Sequence, residues 1–346
     1  MGTGLHLAAA LEGTGWHPGG PGDPARFTPD YWVDLVREAE RGLLDFVTFE
    51  DGLGRTGRLD SVLVASRVAP LTTHIGLVPS VVATFTEPFH LSKAIATLDY
   101  VSAGRAGVRV RGSFSAEDAR HFGRRSFPDV PGEELLADLV EETADYVEVL
   151  RRLWDSWEDD AEIRDVATGR FIDRDKLHYV DFRGRWFSVK GPSITPRPPQ
   201  GAPPVAVLSH SPRIHDLARR QADIVFSTPH DVAEVRAAAA ELGGLRHFAD
   251  IVVFLGGDRD AADVTSDAHV FTGTASELAD LLVAWHAAGV DGFRLRPAVL
   301  PDDLVAITGE LVPELQRRGA FRTEYGATTL RGHLGLPRPA NRYAAV

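Results

Sequence analysis

Short runs of aliphatic residues recur along the chain, and each is followed by a longer segment with apolar positions at helical spacing. Aliphatic runs bounded by turn residues are typical of strands in a parallel sheet that is covered on both faces. The pattern predicts eight strands, over residues 5–11, 46–51, 75–84, 107–112, 204–209, 223–227, 251–256 and 292–296.

A helix is predicted after each strand, and start and stop signals support the boundaries. Thr28-Pro29-Asp30 is a typical helix start, and glycine follows several predicted helix ends, as at Gly104 and Gly289. The predicted helices cover residues 29–42, 61–69, 89–102, 132–158, 212–221, 231–243, 275–289 and 302–319.

Eight strand–helix pairs in strict alternation favour an α/β fold of the (β/α)8 TIM-barrel type. An open doubly wound sheet is the alternative, but no G-x-G-x-x-G follows any predicted strand. Residues 159–201 form an excursion between the fourth helix and the fifth strand, with a hairpin predicted around HYVDFRGRWFSV. The basic, irregular tail, 320–346, is expected to wrap the barrel exterior, and residues 1–346 are expected to form a single domain.

Composition narrows the function classes. The net charge of -12 argues against a nucleic-acid or anionic-membrane surface. The absence of cysteine excludes disulfides, thiolate catalysis and cysteine-bound metals. No apolar run approaches the roughly 20 residues of a membrane span, and the N-terminus lacks the basic start of a signal peptide. We therefore expect a cytoplasmic enzyme.

In such a barrel the chemistry lies where the strands end, and the fourth strand is unusual there. In GVRVRGS, over residues 107–113, Arg109 and Arg111 are two positions apart and so share one face of the strand. Two guanidiniums in a buried strand are costly unless they are paired or the strand end opens into a polar pocket. The pair therefore marks either a salt-bridge network or an anion site.

Two other strand ends carry candidate chemistry. In Glu50-Asp51 one carboxylate is expected to point into the barrel mouth and the other toward a helix or loop, for a salt bridge to Arg109 or Arg111, a ligand contact, or both. Ser209-His210-Ser211-Pro212 ends the fifth strand, where hydroxyls and free N–H groups suit a phosphate. Plain N-capping by Ser211 is the alternative.

Histidines offer only weak candidates. His17 in the glycine-rich first loop and His6 on the first strand are possible acid–base groups, although a structural role is the usual one for a single histidine. No H-E-x-x-H motif or other metal-ligand spacing occurs, so no metal site is predicted. A Ser-His-Asp hydrolase is not indicated, because no G-x-S-x-G elbow is present.

The strand ends and the segments between them resemble the bacterial-luciferase-like flavin monooxygenases. The similarity is greatest to the branch with nitrilotriacetate and dibenzothiophene-sulfone monooxygenases. It spans nearly the whole chain and includes the segments HLAAALEGTGWHPGG, YWVDLVREAERGLLDFVTFEDGL, IGLVPSVVATFTEPFHLSKAIATLDYVSAGRAG, LHYVDFRGRWFSVKGPSITPRPPQG and VPELQRRGAFRTEYGATTLRGHLGLPRPANR. The resemblance implies a (β/α)8 barrel, reduced FMN supplied by a separate flavin reductase, activation of dioxygen, and a homodimer.

The resemblance also implies site residues. Asp51 matches a flavin-contacting aspartate after the second strand, Thr84 falls in a stretch of small hydroxyl residues after the third, and Ser211 matches a phosphate-binding serine.

Other positions depart from the family pattern. Arg109 replaces an asparagine, and Ile214 replaces a glycine. Leu136 and Val140 stand where the family has histidine and tyrosine. Arg109 and Arg111 therefore either hold the charge of the flavin or fill its place by pairing with Glu50 and Asp51.

The resulting prediction is a monooxygenase that uses reduced FMN and dioxygen on a small organic substrate. The predicted flavin contacts are Asp51, Thr84, Arg109 and Ser211, with His17 as acid–base group and Arg111 as a site for a substrate carboxylate. One alternative is a divergent member without ordinary flavin use, either a cofactor-independent biosynthetic enzyme or a non-catalytic binding or partner subunit. Another is an enzyme that uses a deazaflavin hydride donor.

Overall fold

The strands form a closed parallel barrel. The computed structural model describes residues 4–17, 24–54, 57–255 and 264–344. The barrel strands are β1 His6–Leu11, β2 Phe46–Phe49, β3 Gly76–Val82, β4 Val108–Arg111, β5 Val205–Leu208, β6 Ile224–Ser227, β7 Arg246–Leu255 and β8 Gly292–Pro297. Successive strands pair in parallel, and β8 pairs with β1, so the sheet closes. The predicted (β/α)8 barrel is confirmed.

Helices cover the outside of the barrel in the predicted order. They are α1 Pro29–Arg41, α2 Ser61–Val68, α3 Pro88–Val101, α4 Glu133–Asp155, α5 Pro212–Gln221, α6 Val232–Glu241 and α7 Ala275–Ala288. The eighth is built from three consecutive segments, Asp302–Ala306, the π-helical turn Ile307–Leu311, and Val312–Arg317. Local signals fix several ends: Asp60 accepts from the amide of Leu63 to cap α2, and Thr274 and Glu277 form a capping box on α7.

Three elements differ from the sequence prediction. Strand β7 begins at Arg246, five residues before the predicted start. The prediction missed these residues because polar side chains interrupt the aliphatic run there. A short helix, Ala116–Phe122, follows β4, and an additional strand, His269–Gly273, pairs with the outer part of β7. Gly256, at the end of the predicted seventh strand, lies outside the described residues.

The excursion and the tail both lie against the barrel exterior. The excursion contains two hairpins, Glu162–Asp165 with Arg170–Ile172 and Phe182–Arg183 with Ser188–Val189, and the second is the predicted one. The tail carries the helical turn Leu330–His333, which closes the N-terminal end of the barrel. The last two residues of the predicted tail lie outside the described part of the chain.

The barrel interior has an apolar lower part and a charged upper part. Leu330 and Leu334 pack against Phe46, Phe226 and Phe248 at the N-terminal end. Two residues further along β2, β3, β4, β7 and β8, the inward positions become polar, so much of the space below the C-terminal mouth is lined by charges. Within the described residues, no helix is both long and apolar enough to cross a membrane.

Candidate active site

A cavity of about 1000 Å³ opens at the C-terminal end of the barrel, where strand ends and the following loops meet. Its floor is formed by inward side chains of β2, β4 and β8, and one wall by α4 and the start of α5. Residues lining the cavity include Trp16, Glu50, Arg109, Arg111, Ser113, Leu136, Val140, Ser211, Ile214, Arg294 and Arg296.

Arg109 is held in place by Glu50 at the floor of this cavity. One Nη of Arg109 donates to Oε2 of Glu50, and the other carboxylate oxygen accepts from Arg294 Nη1 at 2.8 Å. Thr48 donates to the same Oε1 at 3.1 Å. Side-chain exposure is below a tenth for all three charged residues, so the predicted salt bridge between Glu50 and Arg109 exists and is buried.

A second carboxylate extends this arrangement across the barrel. Asp250, fully buried on β7, accepts from Arg294 Nε at 2.8 Å and from Arg296 Nε at 3.0 Å. Arg296 Nη1 also donates to Asp267 at 2.7 Å, on the loop that leads to the additional strand. We call Glu50, Arg109, Asp250, Arg294, Arg296 and Asp267 the charge network.

The charge network determines the ionisation of its members. Burial opposes the charged form of Glu50, but the guanidiniums of Arg109 and Arg294 outweigh it and hold the pKa of the carboxyl at about 2. Burial lowers the pKa of Arg109 to about 10, against the opposing effect of Glu50. Both groups are therefore charged at neutral pH.

Arg111 and Asp51 lie together at the rim. Arg111 is exposed, and its Nη1 donates to the backbone oxygen of Asp51 at 3.1 Å. The carboxylate of Asp51 turns toward α2 and accepts from the amides of Gly52 and Ser61. Glu50 thus points into the barrel and Asp51 toward a helix, as the sequence predicts for the two neighbours.

Thr84 does not line this cavity but contacts a residue that does, Ser113. Its hydroxyl accepts from the amide of Ser113 at 2.9 Å, and the hydroxyl of Ser113, which does line the cavity, donates to Asp118 at 2.6 Å. Thr84 therefore positions the turn after β4.

Ser211 lies at the start of α5 and faces the cavity. Its side chain makes no capping hydrogen bond, so the simple N-cap alternative does not hold. In the same turn, the Ser209 hydroxyl is buried and has no partner among the described residues. The helix N-terminus and the Ser211 hydroxyl form a polar end of the cavity.

The structure does not bring the two histidines into this site. His17 lies edge-on to Phe254, and its amide donates to Ala298, outside the cavity lining. His6 lies at the opposite end of the barrel, where its Nδ1 is 2.9 Å from Asp45. Among the described residues no group of histidine and carboxylate side chains could hold a metal ion.

The wall from α4 and α5 is mainly apolar. Leu136, Leu139 and Val140 of α4 face the cavity together with Ile214 and Leu217 of α5. Glu133 and Thr143 of α4 also line the cavity, but most of its polar groups lie at its floor, its rim and the start of α5.

Sequence reasoning missed Asp250 and Asp267, although the predicted eighth strand, 292–296, contains Arg294 and Arg296. Asp250 was missed because the seventh strand was predicted to begin one residue after it. The available signal is the alternation of Phe248, Asp250 and Val252, which places a carboxylate on the inward face of a strand.

Comparison with known proteins agrees with this architecture. The model of the luciferase-like monooxygenase family matches residues 11–280. N-acetyl-S-(2-succino)cysteine monooxygenase of Bacillus subtilis (strain 168) is 30% identical, over 99% of this chain and 96% of the relative. Nitrilotriacetate monooxygenase component A of Aminobacter aminovorans is 28% identical, over 98% of each chain.

A solved structure has the same fold. EDTA monooxygenase from Chelativorans sp. BNC1 superposes with a TM-score of 0.84 at 21% identity, over 97% of this chain and 99% of the other. The family model covers most of the chain and the first relative nearly all of it. The chain therefore belongs to the luciferase-like monooxygenase family.

Proposed function

We propose that the protein is the oxygenase of a two-component system, in which a separate reductase supplies reduced FMN and the oxygenase acts on a small organic substrate. Family membership supports the reaction class. The observation that carries the proposal is the polar end of the cavity, where the Ser211 hydroxyl is not used for capping. A homodimer and a cytoplasmic location, also predicted from the sequence, remain predictions.

The cavity fits a flavin mononucleotide in size and in polar groups. Its volume is at the upper end of the roughly 300–1,000 Å³ of small-molecule sites. The start of α5, with the Ser211 hydroxyl, suits the phosphate. The Nε of Arg109 is buried without a partner among the described residues, which leaves a donor for the flavin ring.

The chain's own groups have distinct tasks under this proposal. Bound reduced FMN would supply the electrons with which dioxygen is activated. The apolar wall of α4 and α5 excludes water from the ring, and Arg111 at the rim is free to bind a substrate carboxylate. Asp51 and Thr84 do not line the cavity; each makes a hydrogen bond to a residue that does, Arg111 and Ser113 respectively. Their roles as flavin contacts stay predictions. His17 stays a prediction as acid–base group.

Binding of reduced FMN to the purified protein tests the proposal. An anaerobic titration, followed by tryptophan fluorescence, to which Trp16 in the cavity contributes, should show saturable binding. Ser211→Ala should weaken FMN binding at least about tenfold, since a hydrogen bond to a charged group contributes about 1.5–3 kcal/mol. Riboflavin, which lacks the phosphate, should bind both proteins equally, and Ser211→Thr should restore FMN binding.

The titration also separates the alternatives. Absence of binding in either redox state at high micromolar FMN would contradict the proposal and favour a member that has lost flavin use. If Ser211→Ala weakened the binding of FMN and of riboflavin equally, the phosphate would not bind at the start of α5.

A further inference from the structure

The charge network is not balanced inside the barrel. Three guanidiniums, those of Arg109, Arg294 and Arg296, are more than nine-tenths buried. Only two carboxylates of the network, Glu50 and Asp250, are buried to the same extent. The third, Asp267, is 52% exposed, and water screens its charge. The interior therefore carries one positive charge without a buried counter-charge.

This excess charge resides mainly on Arg109. Arg294 has both Glu50 and Asp250 as partners, and Arg296 has Asp250 and Asp267. Arg109 has one carboxylate partner, Glu50, and shares it with Arg294. Its Nε has no partner among the described residues, and burial lowers its pKa to about 10.

A buried cation without a full counter-charge is costly, and nearby negative charge relieves that cost strongly, because little water screens it. Arg109 forms part of the cavity floor, so a ligand there can supply this charge. The floor of the cavity thus favours a ligand that is anionic next to β4.

We propose that Arg109 binds the negative charge of the reduced flavin ring and makes the site select reduced over oxidised flavin. The inference rests on the proposed use of FMN. The reduced isoalloxazine loses a proton from its pyrimidine half to become an anion, whereas the oxidised ring is neutral. The phosphate is common to both forms and is assigned to Ser211, so it cannot discriminate between them.

Dissociation constants of oxidised and reduced FMN test this, together with the midpoint potential of the bound flavin. Arg109→Gln should lower the preference for the reduced form at least tenfold, which corresponds to a fall of about 30 mV for a two-electron couple. Arg109→Lys keeps the charge and should retain most of the preference. Glu50→Gln removes a negative neighbour and should increase the preference.

Opposite changes in Arg109→Gln and Glu50→Gln distinguish charge from mere loss of structure, and melting temperatures confirm that each variant is folded. An unchanged ratio in Arg109→Gln would overturn the inference, as would equal binding of both redox states by the wild type. Benzoate is the probe for a substrate carboxylate. If Arg109→Gln lost benzoate binding but kept the redox preference, Arg109 would bind the substrate, and the inference would also be overturned. Absence of all FMN binding would instead defeat the proposed function itself.

Discussion

Single residues at inward strand positions give this barrel its unusual interior. The side chains that face inward alternate along each strand, and at the upper positions of β2, β4, β7 and β8 they are charged. Each guanidinium is tolerated there because a carboxylate from another strand reaches it. The same pairing fixes the side chains that line the cavity floor.

Asp250 should be the most sensitive member of the charge network. Asp250→Asn leaves Arg294 and Arg296 without their shared buried counter-charge and should lower the free energy of unfolding by about 3–5 kcal/mol. Asp267→Asn is the matched control, because it removes a half-exposed partner of the same Arg296 and should cost about 1 kcal/mol or less. Urea denaturation measures the free energy of unfolding of both variants. Equal losses would show that burial of the carboxylate does not determine how much it stabilises the protein.

The helical turn Leu330–His333 shows how one element closes the barrel from below. Leu330 is fully buried among the aromatic residues at the N-terminal end. Gly76 and Gly107 leave the space that it fills, since a Cβ at these positions would lie 2.6 and 3.0 Å from its methyl groups. The tail is therefore part of the barrel core as well as a wrapping on its surface.

Shortening this residue should open the lower core. Leu330→Ala should reduce the free energy of unfolding by about 2–5 kcal/mol, as expected for a fully buried leucine. Leu63→Ala on α2, where the leucine is 70% exposed, should change it by about 0.5 kcal/mol or less. Similar losses in the two variants would show that the tail does not contribute to the core.

Elements with a continuous pattern could be predicted, and elements defined by contacts could not. Aliphatic runs and helix signals located all eight barrel strands, and seven of them within two residues at each end. The first five residues of β7 were missed because Arg246 and Asp250 interrupt the apolar run. These charged side chains are accommodated in the strand by their ion-pair partners, Asp291 for Arg246 and Arg294 with Arg296 for Asp250. The helix Ala116–Phe122 is too short to show a periodic pattern.

The molecule as a whole should lose stability in mildly acidic solution, partly through His247. This histidine is buried on β7, its Nε2 lies 2.6 Å from the Ser227 hydroxyl, and burial lowers its pKa from 6.5 to about 4. The folded protein therefore holds it neutral, while the unfolded chain binds a proton below pH 6.5. Its contribution to stability is complete above that pH and is lost as the pH falls toward 4.

Comparison of two pH values isolates this effect. Between pH 7 and pH 5 the wild type should lose about 2 kcal/mol more unfolding free energy than His247→Gln. Identical losses in urea unfolding would show that His247 is not held neutral.

The sequence by itself determined the barrel, its family and most of the strand ends that carry chemistry. Strand and helix periods are local properties of the chain, and parallel strands linked by helices have few other ways to bury both faces. The tertiary structure alone decided the partners: Glu50 binds Arg109, Asp51 turns to α2, and Arg111 stays at the rim. Pairing depends on which side chains meet across the barrel, and residues far apart in sequence, such as Glu50, Asp250 and Arg294, meet only when it closes.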